Sequence, residues 1–210
     1  MKKCYIITAY IEGNINELLP LNSSAFVICA DGGYEIALSH SITPHVVIGD
    51  ADSGKMSQLV NNSKTEFVYF KQEKDVSDTF LCVEYAISLG FNEIEIIGGI
   101  GGRLDHTISN IQTIAKFSSD SIKLTMRDGA NFITVVSDSS ITIKKEENFS
   151  LSLFSFSDIC SGITTTGLQY SLTNATLQNS YPLGLSNEFV ENVATIEVKQ
   201  GKLLVVMSKQ

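Results

Sequence analysis

Short, β-rich apolar segments alternate with segments of helical periodicity over residues 1–129. The predicted strands are residues 4–10, 26–30, 46–49, 67–70, 94–98 and 122–126. The predicted helices are residues 15–19, 34–39, 55–60, 76–89 and 104–117. Strands that alternate with helices are typical of a mostly parallel sheet joined by crossover helices. We therefore predict that residues 1–129 form an α/β domain with a Rossmann-like sheet and helices on both of its faces.

Within the predicted helix 104–117, apolar residues recur at helical spacing and predict the side of the helix that is buried. These residues are Leu104, Ile108, Ile111 and Ala115. Asp105, His106 and Ser109 fall largely outside this apolar stripe. We therefore expect the stripe to pack on the core and the three polar residues to lie off it.

The pattern changes from Asn131 onward, where β-rich segments follow one another with turn residues between them. The segments read ITIKK, SLSLFSF, ITTTGLQYSL, ATLQ, VATIEV and KLLVVMS. Lys199, Gln200 and Gly201 separate the last two segments and predict a hairpin connection. Many short strands with such turns predict an antiparallel β-sandwich over residues 130–210.

The composition limits the classes of partner. The 210 residues carry a net charge of -8, and no run of lysine and arginine offers a basic surface to nucleic-acid phosphates. No apolar segment approaches the roughly 18 to 20 residues that a membrane-spanning helix needs. The four cysteines are scattered without a CxxC pair, which is typical of reduced, buried thiols. We expect a cytoplasmic protein that binds neither nucleic acid nor membranes.

The segment Gly49-Asp50-Ala51-Asp52-Ser53 directly follows a predicted strand. Ligands bind at the carboxyl ends of strands in open α/β sheets. Residues two apart on an extended segment point to the same side, so the carboxylates of Asp50 and Asp52 can meet one hard cation such as Mg²⁺. The alternative is turn chemistry, because Asp and Ser are common in loops after strands.

Asp31 occupies a similar position, in Ala30-Asp31-Gly32-Gly33 between a predicted strand and a predicted helix. The two glycines permit close approach of the backbone to a ligand. The alternative is that Asp31 caps the helix that begins near Tyr34.

A third acidic segment, Lys74-Asp75-Val76-Ser77-Asp78, begins the predicted helix 76–89. Asp75 and Asp78 are three residues apart and share one face of the first turn, where the helix dipole favours negative charge. Capping therefore explains this pair almost as well as metal binding does. Lys74 is a cation beside a helix N-terminus, which is unfavourable unless the lysine meets an anion such as phosphate.

The segment GGIGGRLDH, residues 98–106, leads from a predicted strand into a predicted helix. Its glycine-rich backbone can wrap phosphates with N–H groups at a helix N-terminus, although it matches neither a Walker loop nor the GxGxxG pattern. Arg103 offers a bidentate phosphate contact, and Asp105 could complete a metal site or orient an acceptor hydroxyl. His106 is a candidate general base or a hydrogen-bonded structural histidine. The alternative for the glycines is tight packing, which needs one or two of them rather than four.

The motifs DGG, GDxDS, KDxSD and GGxGGRxDH, in this order at strand ends, resemble the catalytic domain of thiamin pyrophosphokinases. The segments TGLQYSL, residues 166–172, and GLSNE, residues 184–188, resemble the thiamin-binding domain of the same family. The resemblance covers nearly the whole chain. It implies an Mg²⁺-dependent enzyme with ATP as co-substrate, which moves a pyrophosphoryl group onto the hydroxyl of thiamin. It also implies a homodimer with thiamin at the subunit interface.

Matching positions imply three sets of site residues. The acidic set is Asp31, Asp50, Asp52, Asp78 and Asp105, of which Asp50, Asp52 and Asp78 would serve Mg²⁺. The set at ATP and its phosphates is Lys74, Asp75, Gly99, Gly101, Gly102, Arg103 and His106. Thiamin carries a cationic ring and an aromatic ring, so its site needs an aromatic face and small polar groups. Tyr170, Ser186 and Asn187 fit that requirement.

Several alternatives stay open from the sequence. Tyr170 could be a core residue, because Leu168, Tyr170 and Leu172 share one side of a strand. Position 51 is Ala where the family usually has Phe, and Tyr170 stands where many members have Trp. The functional alternatives are a phosphotransferase with another acceptor and a non-catalytic thiamin-binding sensor. Measured turnover with thiamin separates the three functions.

Overall fold

A computed structural model describes residues 3–19, 25–49, 65–69 and 76–210. Asp50, Asp52, Lys74, Asp75 and the predicted helix 55–60 lie outside these described residues. Contacts divide the chain into two compact units. The first is Met1–Thr113 with Met126–Gly129, and the second is Ile114–Thr125 with Ala130–Gln210.

The first unit contains a parallel sheet. Its strands are β1 (Lys3–Ile7), β2 (Phe26–Ala30), β3 (Val46–Gly49), β4 (Glu66–Tyr69) and β5 (Glu93–Ile97), in the order β4-β3-β2-β1-β5. All four pairings within this order are parallel. The described helices are α1 (Ile15–Leu18), α2 (Gly33–Ser39), α3 (Asp78–Ser88) and the start of α4 (Leu104–Phe117). This arrangement confirms the predicted α/β class.

The core of this unit explains why its strands are continuous apolar runs. Tyr5 pairs with Val27, and Ile7 pairs with both Cys29 and Ile97, so these side chains share one face of the sheet. They pack with residues of α1 and α2 in one buried cluster. The intervening residues, such as Ile6 and Ile28, are also fully buried. Strands covered on both faces need apolar residues at every position.

The predicted apolar stripe of α4 is wrong at its start. Leu104 is 70% exposed and Ile108 is 50% exposed, whereas the buried side carries Asn110, Thr113, Ile114 and Ala115. On this buried side, the side chain of Asn110 donates a hydrogen bond to the carbonyl of Gly99 where an apolar residue would make packing contacts. Helical spacing identifies residues that share a side, but it does not decide which side meets the core.

The second unit is built from antiparallel strands. They are β7 (Asn131–Ser137), β8 (Ser140–Lys144), β9 (Phe149–Ser155), β10 (Ile159–Thr166), β11 (Ala175–Gln178), β12 (Val193–Glu197) and β13 (Lys202–Lys209). One run has the order β7-β13-β9, and a separate four-stranded sheet has the order β11-β10-β12-β8. Strand β6 (Lys123–Arg127) is divided between the two units.

The two runs share one core, which confirms the predicted sandwich-like arrangement of the second half. Ile196 of β12 and Leu203 and Val205 of β13 belong to the same buried cluster. The predicted hairpin between β12 and β13 is wrong, because β12 pairs with β8 and β10 while β13 pairs with β7 and β9. Gly201 has φ of +102° and lies in the connection between the two sheets. Burial of one face of each strand against the opposite sheet outweighs direct pairing of β12 with β13.

None of the helices in the described part of the chain is long and apolar enough to cross a membrane.

Candidate active site

A cavity of about 500 Å³ lies in the first unit, at the carboxyl ends of β1, β2 and β5. Four segments line it: residues 8–10 after β1, Ala30 and Asp31 at the end of β2, residues 76–79 at the start of α3, and the glycine-rich loop with α4. Parallel strands end at one edge of a sheet, and ligands of α/β proteins bind at that edge. Several of the sequence motifs therefore meet in one cavity.

Asp31 has a left-handed backbone, with φ of +44°, at the end of β2. Its N–H donates to the carbonyl of Ile48 at 2.8 Å, which ties this turn to β3. The N-cap of α2 is Gly32, and Asp31 makes no side-chain hydrogen bond to the N–H groups of α2 within the described residues. A Cβ built on Gly49 would lie 3.4 Å from Asp31 Oδ1. Asp31 thus lines the cavity beside Gly49, and its backbone carbonyl accepts the N–H of Tyr34 in α2 at 3.1 Å.

Asp78 is the first residue of α3 and lines the same cavity. Ser77 caps the helix, since its Oγ accepts a hydrogen bond from the N–H of Phe80 at 3.3 Å. The capping function therefore belongs to Ser77. Asp78 lies in the first turn of α3, where the helix dipole favours negative charge.

The glycine-rich loop, residues 98–102, follows β5 and precedes α4. Gly98, Gly99, Gly101 and Gly102 all have positive φ, between +65° and +86°. All four positions therefore favour glycine, and a Cβ at any of them would also lie within 3.2 Å of a neighbouring atom, so backbone conformation and close packing both account for the glycines.

Most N–H groups of this loop are bonded within the protein. The N–H of Gly98 donates to Arg127, that of Gly99 to the carbonyl of Tyr10 at 2.8 Å, and that of Gly101 to Thr107 Oγ1 at 3.0 Å. The N–H groups of Ile100, Gly102 and Arg103 donate to no acceptor among the described residues. Of these three residues, Gly102 and Arg103 line the cavity, so their N–H groups remain for a ligand.

Arg103 and Asp105 form a two-point ion pair on the exposed surface, where Nη2 lies 2.5 Å from Oδ2 and Nε lies 3.2 Å from Oδ1. The hydrogen bond from Arg103 lowers the pKa of the Asp105 carboxyl, and the same bond raises the pKa of Arg103. Arg103 and His106 line the cavity. Asp105 does not line the cavity, but it forms the ion pair with Arg103, which does.

Sequence reasoning missed several residues that line the cavity, namely Thr8, Ala9, Tyr10, Ser77, Thr79 and Asn110. The ring of Tyr10 covers the loop, because a Cβ on Gly101 would lie 3.0 Å from Tyr10 Cε1. The position of residues 8–10 directly after β1 is the signal that could have identified them, because ligands bind at the carboxyl ends of parallel strands. The prediction placed residues 8–10 inside a strand over residues 4–10, whereas β1 ends at Ile7 and residues 8–10 follow it.

The predicted thiamin residues lie together in the second unit. The side chain of Asn187 accepts from the N–H of Tyr170 at 3.0 Å and donates to its carbonyl at 2.8 Å. Asn187 is buried, whereas the ring of Tyr170 is 67% exposed and Ser186 is exposed. Tyr170 is therefore not a core residue in this chain, although Leu168 is buried.

The structure brings together seven of the predicted site residues in the cavity: Asp31, Asp78, Gly99, Gly101, Gly102, Arg103 and His106. Among the described residues, no group of three or more His, Cys, Asp or Glu side chains forms a metal centre. Asp31 and Asp78 nevertheless offer carboxylate oxygens to one cavity, and oxygen is the ligand that Mg²⁺ prefers. The donor chemistry of the described wall fits that cation.

Two family models match the chain. Residues 19–126 match "Thiamin pyrophosphokinase, catalytic domain", and residues 138–203 match "Thiamin pyrophosphokinase, vitamin B1 binding domain". The chain belongs to the thiamin pyrophosphokinase family. The catalytic-domain match contains every predicted acidic and phosphate-site residue, and the vitamin B1 binding match contains Tyr170, Ser186 and Asn187.

Individual members of the thiamin pyrophosphokinase family are similar along most of their length. The thiamine pyrophosphokinase of Bacillus subtilis is 29% identical over 184 residues, which are 86% of each chain. Thiamin pyrophosphokinase 1 of Caenorhabditis elegans is 24% identical, over 80% of this chain and 72% of that protein. The crystal structure of the B. subtilis thiamine pyrophosphokinase superposes with a TM-score of 0.86 at 26% identity and covers 100% of both chains.

Proposed function

We propose that this protein is an active thiamin pyrophosphokinase, which transfers the pyrophosphoryl group of ATP to the hydroxyl of thiamin and releases thiamin diphosphate and AMP. The observation that carries the proposal is the cavity in which Asp31, Asp78, the glycine-rich loop and Arg103 meet. A site with carboxylates beside free N–H groups and a guanidinium suits a charged phosphate ester with a metal ion.

The phosphates of ATP bind at the end of the glycine-rich loop. Among the loop donors that have no acceptor in the described residues, the N–H groups of Gly102 and Arg103 belong to residues that line the cavity, and α4 begins directly after them. Arg103 adds a guanidinium, which can exchange its bond with Asp105 for a bidentate phosphate contact. Gly99 and Gly101 shape the loop, while Lys74, Asp75 and His106 contribute further contacts to ATP.

Asp50, Asp52 and Asp78 would hold Mg²⁺, and Asp31 would complete the acidic set. Support comes from Gly49, which directly precedes Asp50 in the sequence and packs against the Asp31 carboxylate. Bound Mg²⁺ neutralises charge on the phosphate oxygens. Asp78 is suited to this role because it lines the same cavity as Asp31.

Transfer follows an in-line path. The hydroxyl oxygen of thiamin forms a bond to the β-phosphorus, the bond from that phosphorus to the bridging oxygen of the α-phosphate breaks, and AMP leaves with the bond's electrons. The hydroxyl proton is released in the same process. The chain's contribution is to fix the two substrates in line and to stabilise the charge that builds up on the oxygens.

Thiamin is held by the second unit, in a homodimer with the site at the subunit interface. The exposed ring of Tyr170 offers an aromatic face to the cationic thiazolium or the pyrimidine of thiamin. Asn187 fixes the backbone of Tyr170 through two hydrogen bonds, so it orients that ring, while Ser186 offers a hydroxyl. Exposed Leu185 and Val190 on the same unit support a surface that is covered by a second subunit.

The four free thiols suit the cytoplasm, where cysteines stay reduced.

A coupled assay of AMP release tests the proposal, with purified protein, ATP, Mg²⁺ and thiamin beside mixtures that lack thiamin or Mg²⁺. We expect AMP and thiamin diphosphate in equal amounts only in the complete mixture. AMP formation without thiamin diphosphate would indicate another acceptor. Thiamin binding without any turnover would indicate a sensor.

A further inference from the structure

Two side chains of α4 bind the glycine-rich loop that precedes the same helix. Thr107 Oγ1 accepts the N–H of Gly101 at 3.0 Å, and Asn110 Nδ2 donates to the carbonyl of Gly99 at 2.9 Å. Thr107 and Asn110 are three residues apart and so lie on neighbouring positions of one helix face. The helix thereby holds its own N-terminal loop at two points.

The contact at Asn110 is both buried and sterically matched. Asn110 is only 4% exposed, and a buried carboxamide must be hydrogen-bonded to offset the loss of water. A Cβ on Gly99 would lie 2.6 Å from Asn110 Nδ2, which is closer than any side chain allows. Asn110 can therefore occupy its position only because residue 99 is a glycine.

The opposite side of the loop is held by the segment after β1. The carbonyl of Tyr10 accepts the N–H of Gly99 at 2.8 Å and the hydroxyl of Thr8 at 3.3 Å. Bonds from both sides occupy the N–H and the carbonyl of Gly99 and the N–H of Gly101. The N–H groups of Ile100, Gly102 and Arg103 donate to no acceptor among the described residues, and of these three residues Gly102 and Arg103 line the cavity.

We propose that Thr107 and Asn110 are positioning residues for the nucleotide, which keep the loop in the shape that presents its phosphate donors. This inference rests on the proposed function only in taking ATP as the ligand of the loop. A loop that is already fixed loses less conformational freedom when a ligand binds. Loss of either bond therefore weakens ATP binding and leaves the affinity for thiamin, which is bound mainly by the second unit, nearly unchanged.

Three threonine variants form a matched test. Thr107→Val keeps the shape of the side chain and removes the acceptor, whereas Thr107→Ser keeps the acceptor. The control is Thr113→Val, because Thr113 is buried in the same helix and its hydroxyl donates to the carbonyl of Ser109 at 2.9 Å, away from the loop. A fourth variant, Asn110→Asp, places a carboxylate oxygen against the Gly99 carbonyl and tests the second bond.

Two measurements separate the inference from the proposed function. Hydrogen exchange of the Gly101 amide, followed by NMR, reports the bond itself without any activity. Titration calorimetry with ATP and Mg²⁺ gives the nucleotide affinity without an acceptor. The KM values for ATP and thiamin complete the set.

We expect Thr107→Val to accelerate exchange of the Gly101 amide and to weaken ATP binding about three- to ten-fold, the scale of one hydrogen bond. Asn110→Asp should weaken ATP binding at least as much, and Thr107→Ser and Thr113→Val should match the wild type in both measurements. Unchanged Gly101 exchange in Thr107→Val would overturn the inference, as would faster exchange with unchanged ATP affinity. If the wild type binds ATP but makes no thiamin diphosphate, the proposed function fails while the exchange and calorimetry results still decide the roles of Thr107 and Asn110. Absence of ATP binding by the wild type would overturn both.

Discussion

The guanidinium of Arg103 donates two hydrogen bonds to the carboxylate of Asp105, two residues further along the chain. Both side chains are exposed, so the pair is open to a phosphate that competes for the guanidinium. An exposed ion pair of this kind contributes little to folding stability and is easily exchanged. Under the proposed function, the pair would hold Arg103 in position before ATP binds.

The first prediction concerns the titration of Asp105. The hydrogen bond from Arg103 lowers its pKa, so the carboxylate keeps its charge as the pH falls until that lowered pKa is reached. In Arg103→Ala we expect the pKa of Asp105 to rise towards its ordinary value of 3.8, because the donor is gone. NMR titration of the Asp105 carboxyl carbon measures the shift. An identical titration curve in both proteins would show that the pair does not persist in solution.

The second prediction concerns Asp78 in the first turn of α3. Asp78→Asn keeps the size of the side chain but removes charge from the cavity wall, so we expect turnover to fall about 100-fold or more, the scale of losing one group that stabilises transition-state charge. Glu84→Gln is the matched control, because Glu84 is exposed on the same helix and does not line the cavity. Steady-state AMP release gives the result. Equal rates in Asp78→Asn and Glu84→Gln would remove Asp78 from the catalytic set.

The third prediction concerns Tyr170. Tyr170→Ala should raise the KM for thiamin by about ten-fold, the scale of a partly desolvated cation–π contact, with the KM for ATP unchanged. Tyr181→Ala is a suitable control, since Tyr181 is a second exposed tyrosine of the same unit, 65% exposed. Equal losses for both substrates, with a lowered melting temperature, would instead indicate a packing role for Tyr170.

The fourth prediction concerns the thiols. Burial raises the pKa of Cys4 to about 12 from its ordinary value of 9.0, and burial also raises the pKa of Cys29. All four cysteines are free and buried, so we expect very slow reaction with a disulfide reagent at pH 8 in the native protein and four reactive thiols per chain in denaturant. Rapid reaction of the native protein would contradict the buried positions.

The same pKa shift sets a direction for stability in alkali. In the unfolded chain Cys4 ionises near pH 9.0, while in the folded protein it stays protonated to about pH 12. The unfolded state therefore loses protons first, and the free energy of unfolding should fall as the pH rises through this window. Chemical denaturation at a series of pH values measures it. Cys4→Ala should show a smaller decrease over the same range.

Much of the candidate site was predictable because its motifs directly follow apolar strand segments. Asp31 comes after β2 and the glycine-rich loop after β5, and parallel strands end at one edge of the sheet. The order of motifs along the chain therefore indicates that they share one edge of the sheet. The metal role of Asp50 and Asp52 stays a prediction, since both lie outside the described residues.

The roles of Tyr10 and Asn110 depended on contacts that no local pattern carries. The ring of Tyr10 covers Gly101, although about ninety residues separate the two in the sequence. Asn110 looks like an ordinary polar residue of a helix, and only its burial and its bond to Gly99 show what it does.

The sequence by itself determined the α/β class of the first half, the β-rich character of the second half and the order of the acidic and glycine-rich motifs, because these follow from local periodicity and turn chemistry. It did not identify β7 (Asn131–Ser137) as a strand. The tertiary structure decided which side of α4 is buried, and it decided that β12 and β13 join different sheets rather than one hairpin. Periodicity specifies which residues share a face, whereas the choice of partner for that face depends on packing between segments that are distant in the chain.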